Sequence, residues 1–158
     1  MAKQTQEPRR RESAGSMEQE AILALFRTSD RMQHRFARLF REYGLTPSQY
    51  NILRILRGEG KPMPCLEIAQ RTITVVPGIT GLIDRLAEAG FVQRQRSEED
   101  RRVVNVSITT AGEEVLARLD EPLLSLHRKL LTEFSAGELS DLVRLLEKAR
   151  QACEGESA

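Results

Sequence analysis

Apolar residues recur at steps of three and four between Ser16 and Tyr43, which predicts one long amphipathic helix. The apolar positions are Ile22, Leu25, Phe26, Met32, Phe36, Leu39, Phe40 and Tyr43. Gly44 is expected to end this helix. Residues 1–15 are charged and small polar residues with almost no apolar side chains, so we expect a disordered basic tail.

The second predicted helix begins with an N-terminal capping box. Thr46 supplies the hydroxyl, Pro47 suits the first helical position and Gln49 completes the box. The apolar pattern continues to about Arg57, where we expect the helix to end.

Two more helices and a hairpin are expected next. The helices are predicted at 65–71 and from about 75 to 89, and Gly90 is suited to cap the later one. Strand-like runs at 91–96 and 103–108 flank the charged stretch SEEDRR. This pattern is typical of a β-hairpin with an exposed loop, or wing.

The pattern ends in two further helices. Thr110 with Glu113 predicts the start of one, and Ser135 with Glu138 predicts the start of the other. Pro122 is expected to kink the first of them. The apolar edges are Leu116, Leu119, Leu123, Leu126, Leu130 and Phe134 in the first, and Leu139, Leu142, Leu145, Leu146 and Ala149 in the second. The fold class is therefore mainly α with a small β-hairpin.

These two apolar edges exceed what one domain of 158 residues can cover, which favours a homodimer, the commonest assembly of identical subunits. The alternative is that the edges pack within one subunit, as leucine edges at helical spacing usually do.

Composition narrows the function classes. The 24 basic and 23 acidic residues nearly cancel, so any DNA-binding charge must be concentrated locally. Without a signal-peptide core or a membrane-length apolar run, we expect a cytoplasmic protein with no membrane role. Cys65 and Cys153 are too isolated for a disulfide framework or a metal site. His34 and His127 have no nucleophile partner, so we expect no enzyme and no cofactor.

Three stretches, LTPSQYNILRIL, LEIAQR and ITGLIDRLAEAGFVQRQRSEEDRRVVNVSITTAGEEVL, resemble the MarR family of regulators. The resemblance extends from about Ser16 to Ala152 and is most specific between Ile79 and Gly112. It implies a winged helix-turn-helix module at 46–109 and an intertwined dimerisation region formed by 16–45 and 110–153. It also implies a homodimeric transcriptional regulator, expected to be a repressor, bound to a pseudo-palindromic operator in double-stranded DNA.

The helix before the wing is the expected recognition helix, whose first residues meet base edges in the major groove. The candidates are Val76, Pro77, Gly78, Thr80 and Gly81. Only Thr80 among them offers a side-chain hydrogen bond, while the two glycines permit close backbone approach. Alternatively, the glycines allow another helix or the hairpin to pack tightly. Arg85 either reaches a phosphate or pairs with Asp84 or another carboxylate near the wing.

The wing concentrates basic charge at Arg94, Arg96, Arg101 and Arg102. Arginine at a wing tip suits the negative potential of a narrow minor groove. By resemblance, Arg102 is the minor-groove arginine and Asp100 is the carboxylate that orients it. Glu98 and Glu99 dilute the positive field, and a merely solvated hairpin is the alternative.

MarR relatives commonly respond to small phenolic or carboxylate effectors, which implies possible release from DNA by a small molecule. Arg31, Arg35 and Tyr50 are candidate cleft residues, although a solvated arginine stripe and a packed tyrosine explain them equally well. Cys65 is either redox-active or a small buried residue. The second functional hypothesis is a dimeric protein-interaction module that keeps the winged fold but has little specific DNA binding.

Overall fold

The computed structural model describes residues 15–72 and 78–155. The helices are α1 (Met17–Glu42), α2 (Pro47–Glu59), α3 (Cys65–Arg71), α4 (Ile79–Glu88), α5 (Thr110–Leu130) and α6 (Ala136–Glu154), and the strands are β1 (Met63–Pro64), β2 (Val92–Arg96) and β3 (Val104–Ile108). The mainly helical fold with a small wing is therefore confirmed. None of the helices in these two ranges is long and apolar enough to cross a membrane.

The chain divides into two compact units, one ending at Arg35 within α1 and the other beginning at Phe36. The described part of the first unit is the amino-terminal part of α1, whose apolar Ile22, Leu23 and Phe26 are exposed. The predicted tail at 1–15 lies outside the described residues apart from its last position.

The core of the second unit lies where α2, α3, α4, the sheet and α5 meet. Its most deeply buried side chains are Ile52, Leu53, Leu56, Met63, Ile68, Ile83, Leu86, Val106, Val115, Leu116 and Leu119. The helices bury one apolar stripe each, and those stripes carry the hydrophobic stabilisation of the unit. This core provides a rigid support for α4 and the wing.

The wing belongs to a three-stranded antiparallel sheet with the order β1-β3-β2. The predicted hairpin is confirmed: Val92 pairs with Ile108 and Arg96 with Val104. The third strand was not predicted. It is only two residues long, and Met63 pairs with Val106 at the sheet edge, so it is too short to produce an alternating pattern.

The caps of α2 and α6 form as predicted. Thr46 and Gln49 make a complete capping box, and so do Ser135 and Glu138. The hydrogen bonds from Ser135 lower the pKa of the Glu138 carboxyl. Helix α2 continues past the predicted end, as far as Glu59.

The predicted cap of α5 is wrong by one residue. Thr109, rather than Thr110, is the N-cap, and its side-chain oxygen accepts a hydrogen bond from the Gly112 N–H at 3.2 Å. The Thr109 hydroxyl also donates to the Gly90 carbonyl oxygen at 2.6 Å, which ties the start of α5 to the base of the wing. This second hydrogen bond explains why Thr109, and not the adjacent Thr110, is the N-cap. Helix α5 runs through Pro122 without interruption.

The contact between α5 and the wing base requires glycine at position 112. A Cβ atom there would lie 2.3 Å from the carbonyl oxygen of Phe91 and 2.7 Å from Cγ1 of Ile108. The absence of a side chain at Gly112 therefore lets α5 begin directly against the sheet.

Helix α6 has a different environment from the core helices. It contributes no buried side chain in the part of the chain that the structure describes. Val143, Leu145 and Leu146 are exposed on it.

Candidate nucleic-acid interface

The start of α4 is a glycine-bounded turn. Gly78 has a left-handed backbone with φ +73°, a conformation that L side chains rarely adopt. It is followed by Thr80 and Gly81, both exposed. Helix α4 begins at Ile79, directly after the left-handed Gly78, and not near residue 75 as predicted. Val76 and Pro77, also predicted to contact bases, lie outside the described residues.

The two glycines do not serve as close packing surfaces among the described atoms. A Cβ atom built at Gly78 or Gly81 would meet nothing within 4 Å. The tight-packing interpretation is therefore wrong for the described part of the structure. The amino-terminal end of α4 instead presents backbone and the Thr80 hydroxyl on an open surface.

The opposite side of α4 anchors the helix, because Ile83 and Leu86 are completely buried. Arg85 is exposed, and no carboxylate of the described residues lies within ion-pair distance of it. The expected pair with Asp84 does not form, because consecutive helix residues do not face each other. Asp84 instead pairs with Arg94 on β2.

The tip of the wing is a hydrogen-bonded turn. The Asp100 carbonyl oxygen accepts from the Val103 N–H at 2.9 Å. The Asp100 carboxylate accepts from the backbone N–H of Arg102, also at 2.9 Å. Asp100 thus contacts Arg102 through the backbone N–H, and its role in orienting Arg102 for the minor groove stays a prediction. A carboxylate two residues earlier reaches the backbone N–H in an Asx turn.

The arginines of the wing fall into two groups. Arg96, Arg101 and Arg102 are exposed and have no ion-pair partner among the described residues, while Arg94 is paired with Asp84. Glu98 and Glu99 are exposed on the same loop, as the sequence indicated. Three arginine side chains on the hairpin are thus accessible to an anionic partner, beside three exposed carboxylates, Glu98, Glu99 and Asp100, on the same loop.

An arginine-centred cluster that the sequence analysis missed holds the end of α3. Arg71 contacts Glu59 at 2.6 Å and Glu67 at 2.5 Å, and Lys61 lies 3.3 Å from Glu59. These cations lower the pKa of the Glu59 carboxyl, with the hydrogen bond from Arg71 as the largest cause. Only the pair four residues apart within α3 had a detectable sequence signal.

A second missed contact joins the winged module, residues 46–109, to α5. The guanidinium of Arg57 donates two hydrogen bonds to the Asp120 carboxylate, both at 2.9 Å. These bonds raise the pKa of Arg57. The two residues are 63 positions apart, so no local pattern reveals the pair.

The three candidate effector residues belong to different units of the chain. The Tyr50 ring stacks on Phe40 with centroids 4.3 Å apart, and burial raises the pKa of its phenol. Arg31 and Arg35 are exposed residues of the other unit. Tyr50 is therefore a packed side chain, and Arg31 and Arg35 are solvent-exposed, as the alternative to an effector site expects. Cys65 is half-buried and packs against the core.

The comparisons with known proteins agree with this geometry. The sequence model of the MarR family matches residues 45–104. A crystal structure of a MarR transcription factor from Planctomyces limnophilus is 44% identical, covers 84% of this chain and 97% of its own, and has a TM-score of 0.67. The chain belongs to the MarR family. The predicted family and winged fold are thus confirmed, and the protein is a MarR-type transcriptional regulator with a DNA-binding fold.

Two further comparisons give one curated relative of this MarR protein and one structural neighbour. The homoprotocatechuate degradative operon repressor of Escherichia coli is 26% identical over 84% of this chain and 88% of its own length. The organohalide-sensing regulator RdhR-CbdbA1625 was crystallised with 2,4-dichlorophenol. Its structure matches with a TM-score of 0.81, and the match covers 96% of this chain and 89% of that regulator's chain. At 13% identity, the second likeness shows the fold alone.

Proposed function

We propose that this protein is a homodimeric repressor that acts in the cytoplasm and binds a pseudo-palindromic operator through α4 and the wing. The observation that carries the proposal is the group of exposed arginines, Arg96, Arg101 and Arg102, which have no ion-pair partner among the described residues and lie on the hairpin whose strand β2 is ion-paired to α4. Local charge of this kind supplies phosphate affinity that net charge does not. The repressor of Escherichia coli supports the direction of regulation.

In this proposal α4 enters the major groove with its amino-terminal end. Thr80 donates or accepts a hydrogen bond at a base edge, and Gly78 and Gly81 allow backbone approach. Val76 and Pro77 contact thymine methyl groups, and the exposed Arg85 contacts a phosphate. Because only one of these side chains reads bases by hydrogen bonding, direct readout by α4 is limited.

The wing supplies a second contact, in the minor groove. Arg102 enters the groove, and the Asx turn of Asp100 holds its backbone in place. Arg96 and Arg101 contact the flanking phosphates. Narrow, A·T-rich sequence is therefore expected outside the half-site that α4 reads.

Dimerisation uses residues 16–45 and 110–153. The support is the exposed apolar surface on these segments: Phe26 on α1 is 68% exposed and Leu145 on α6 is 53% exposed in the single chain. Covering such side chains is favourable, and an identical subunit does so symmetrically. The resulting two-fold axis would place two recognition helices about one DNA turn, or a multiple of it, apart.

A small phenolic or carboxylate effector would release the protein from DNA. The dichlorophenol bound to the organohalide-sensing relative supports this class of ligand. Arg31 and Arg35 would bind the anionic group and Tyr50 would line the cleft. Salicylate and 2,4-dichlorophenol are suitable first probes in a DNA-release titration.

The test of the proposed function combines operator selection with one wing variant. Genomic fragments bound by the purified protein near physiological salt should share a short inverted repeat. Arg102→Ala should weaken operator binding by about 1–3 kcal/mol and relax specificity. Lys61→Ala, which removes an exposed cation between α2 and β1, is the control and should leave binding unchanged. If Arg102→Ala has no effect and the wild type binds all DNA equally, the chain is instead a protein-interaction module.

A further inference from the structure

One wing arginine differs from the others in having an acidic partner on the recognition helix. The guanidinium of Arg94 on β2 is ion-paired with the carboxylate of Asp84 on α4. The side chains are 32% and 48% exposed, so the pair lies at the surface and is accessible to solvent. It joins the two elements that the proposed function places on DNA.

The position of Asp84 brings it next to the proposed DNA surface. It lies four residues after Thr80, and residues at this spacing are neighbours on one helix face. Arg94 and Arg96 are two residues apart on β2, so they share one face of the sheet. Arg96 has no ion-pair partner among the described residues, whereas Arg94 has Asp84.

A carboxylate at this place has a defined electrostatic effect. Phosphate contacts supply nearly all the affinity for random DNA, and each contact steepens the salt dependence. The Asp84 carboxylate holds the Arg94 guanidinium and cancels its charge, so Arg94 is removed from the set of phosphate-binding groups. DNA-binding specificity is the ratio of the affinity for the operator to the affinity for random DNA. A lower affinity for random DNA therefore raises the specificity.

We propose that Asp84 is a specificity-determining residue, which restrains Arg94 and thereby weakens sequence-independent binding to DNA. The inference rests on the proposed function, since it assumes that α4 and the wing face DNA. The same ion pair is a direct contact between β2 and α4, the strand and the helix that the proposed function places at the two grooves.

The experiment measures binding of the full chain to a short random-sequence duplex and to its selected operator at several salt concentrations. Asp84→Asn should bind random DNA more tightly, with a salt slope steeper by about 1 per subunit, because Arg94 becomes free for a phosphate. Operator affinity should rise less, so the specificity ratio should fall. An unchanged random-DNA slope in Asp84→Asn would overturn the inference.

Two controls separate this effect from net charge. Asp84→Asn with Arg94→Gln should return to the wild-type slope. Asp84→Asn with Lys61→Gln has the same net charge as that double variant and should keep the steep slope, because Lys61 lies outside α4, the wing and the proposed dimer region. Equal slopes in the two double variants would contradict a specific role for Arg94.

Folding and the underlying function are checked in the same series. Circular dichroism should show wild-type helix content, because the buried anchors Ile83 and Leu86 are unaltered. If Asp84→Asn unfolds at the assay temperature, Asp84→Ser provides the same neutralisation. Failure of the proposed function would appear as a wild-type protein with no operator preference and no response to Arg102→Ala. If only the inference about Asp84 fails, the wild type still prefers its operator and Arg102→Ala still weakens binding.

Discussion

The winged module and α6 have similar apolar spacing but bury different amounts of it. Ile52, Leu56 and Ile83 of the module are completely or almost completely inaccessible. Helix α6 carries a leucine-rich edge, yet no side chain of it is buried in the described part of the chain. Periodicity therefore shows that a helix has an apolar face, but not whether the same subunit covers that face.

The difference assigns separate tasks to the two regions. The module has its own core and holds α4 and the wing in a fixed geometry, which DNA recognition requires. In the proposed dimer, α6 becomes buried only when a second subunit covers it. Helix α5 takes part in both regions, since Leu119 is inaccessible while Leu124 is exposed.

The largest expected effect tests the comparison directly. Leu119→Ala should lower the free energy of unfolding by about 2–5 kcal/mol, because it leaves a cavity in the core. The matched variant Leu145→Ala removes the same atoms from the exposed edge of α6. It should leave the core packing intact and raise the dimer dissociation constant. Denaturant titration and sedimentation at several concentrations measure the two quantities. A monomeric wild type, or equal effects on core stability, would break the comparison.

A second, smaller effect concerns the joint between α5 and the wing base. Gly112→Ala should destabilise the fold by about 1–3 kcal/mol, because the added methyl group meets the Phe91 carbonyl oxygen and the Ile108 side chain. Gly58→Ala is the control, since a Cβ there meets nothing within 4 Å. That change should stabilise α2 by about 0.5–1 kcal/mol. Thermal unfolding followed by circular dichroism compares them, and similar melting temperatures would argue against a tight joint.

The smallest effect concerns the ion pair between the module and α5. A double-mutant cycle of Arg57→Met and Asp120→Asn should give a coupling of about 0.2–1 kcal/mol, because solvent screens this partly exposed pair. Urea titrations of the four proteins at low salt measure the coupling, which should shrink in concentrated salt. A coupling that does not respond to salt would mean that the contact is not primarily electrostatic.

Local patterns predicted most of the helices well. The capping boxes at Thr46 and Ser135 gave the correct starts, and the period-two runs gave the hairpin to within one residue at each strand. The start of α5 was placed at Thr110 instead of Thr109 because two adjacent threonines offer the same hydroxyl. A contact with Gly90, 19 residues away, distinguishes them.

The candidate interface was predicted less completely than the fold. Charge patterning found the arginines of the wing but treated all four alike, and it left open whether Arg85 pairs with a carboxylate. The structure distinguishes Arg94, since β2 brings it to the Asp84 carboxylate. Val76, Pro77 and the three effector candidates stay predictions.

The sequence by itself determined the order of the helices, the wing and the MarR family, because caps, turns and apolar periodicity depend on residues close together in the chain. Only the tertiary structure decided which charges are neutralised and which apolar edges are covered. Asp84 with Arg94 and Arg57 with Asp120 are such cases. Their side chains meet because the packing of elements brings distant residues together, and no local pattern encodes that meeting.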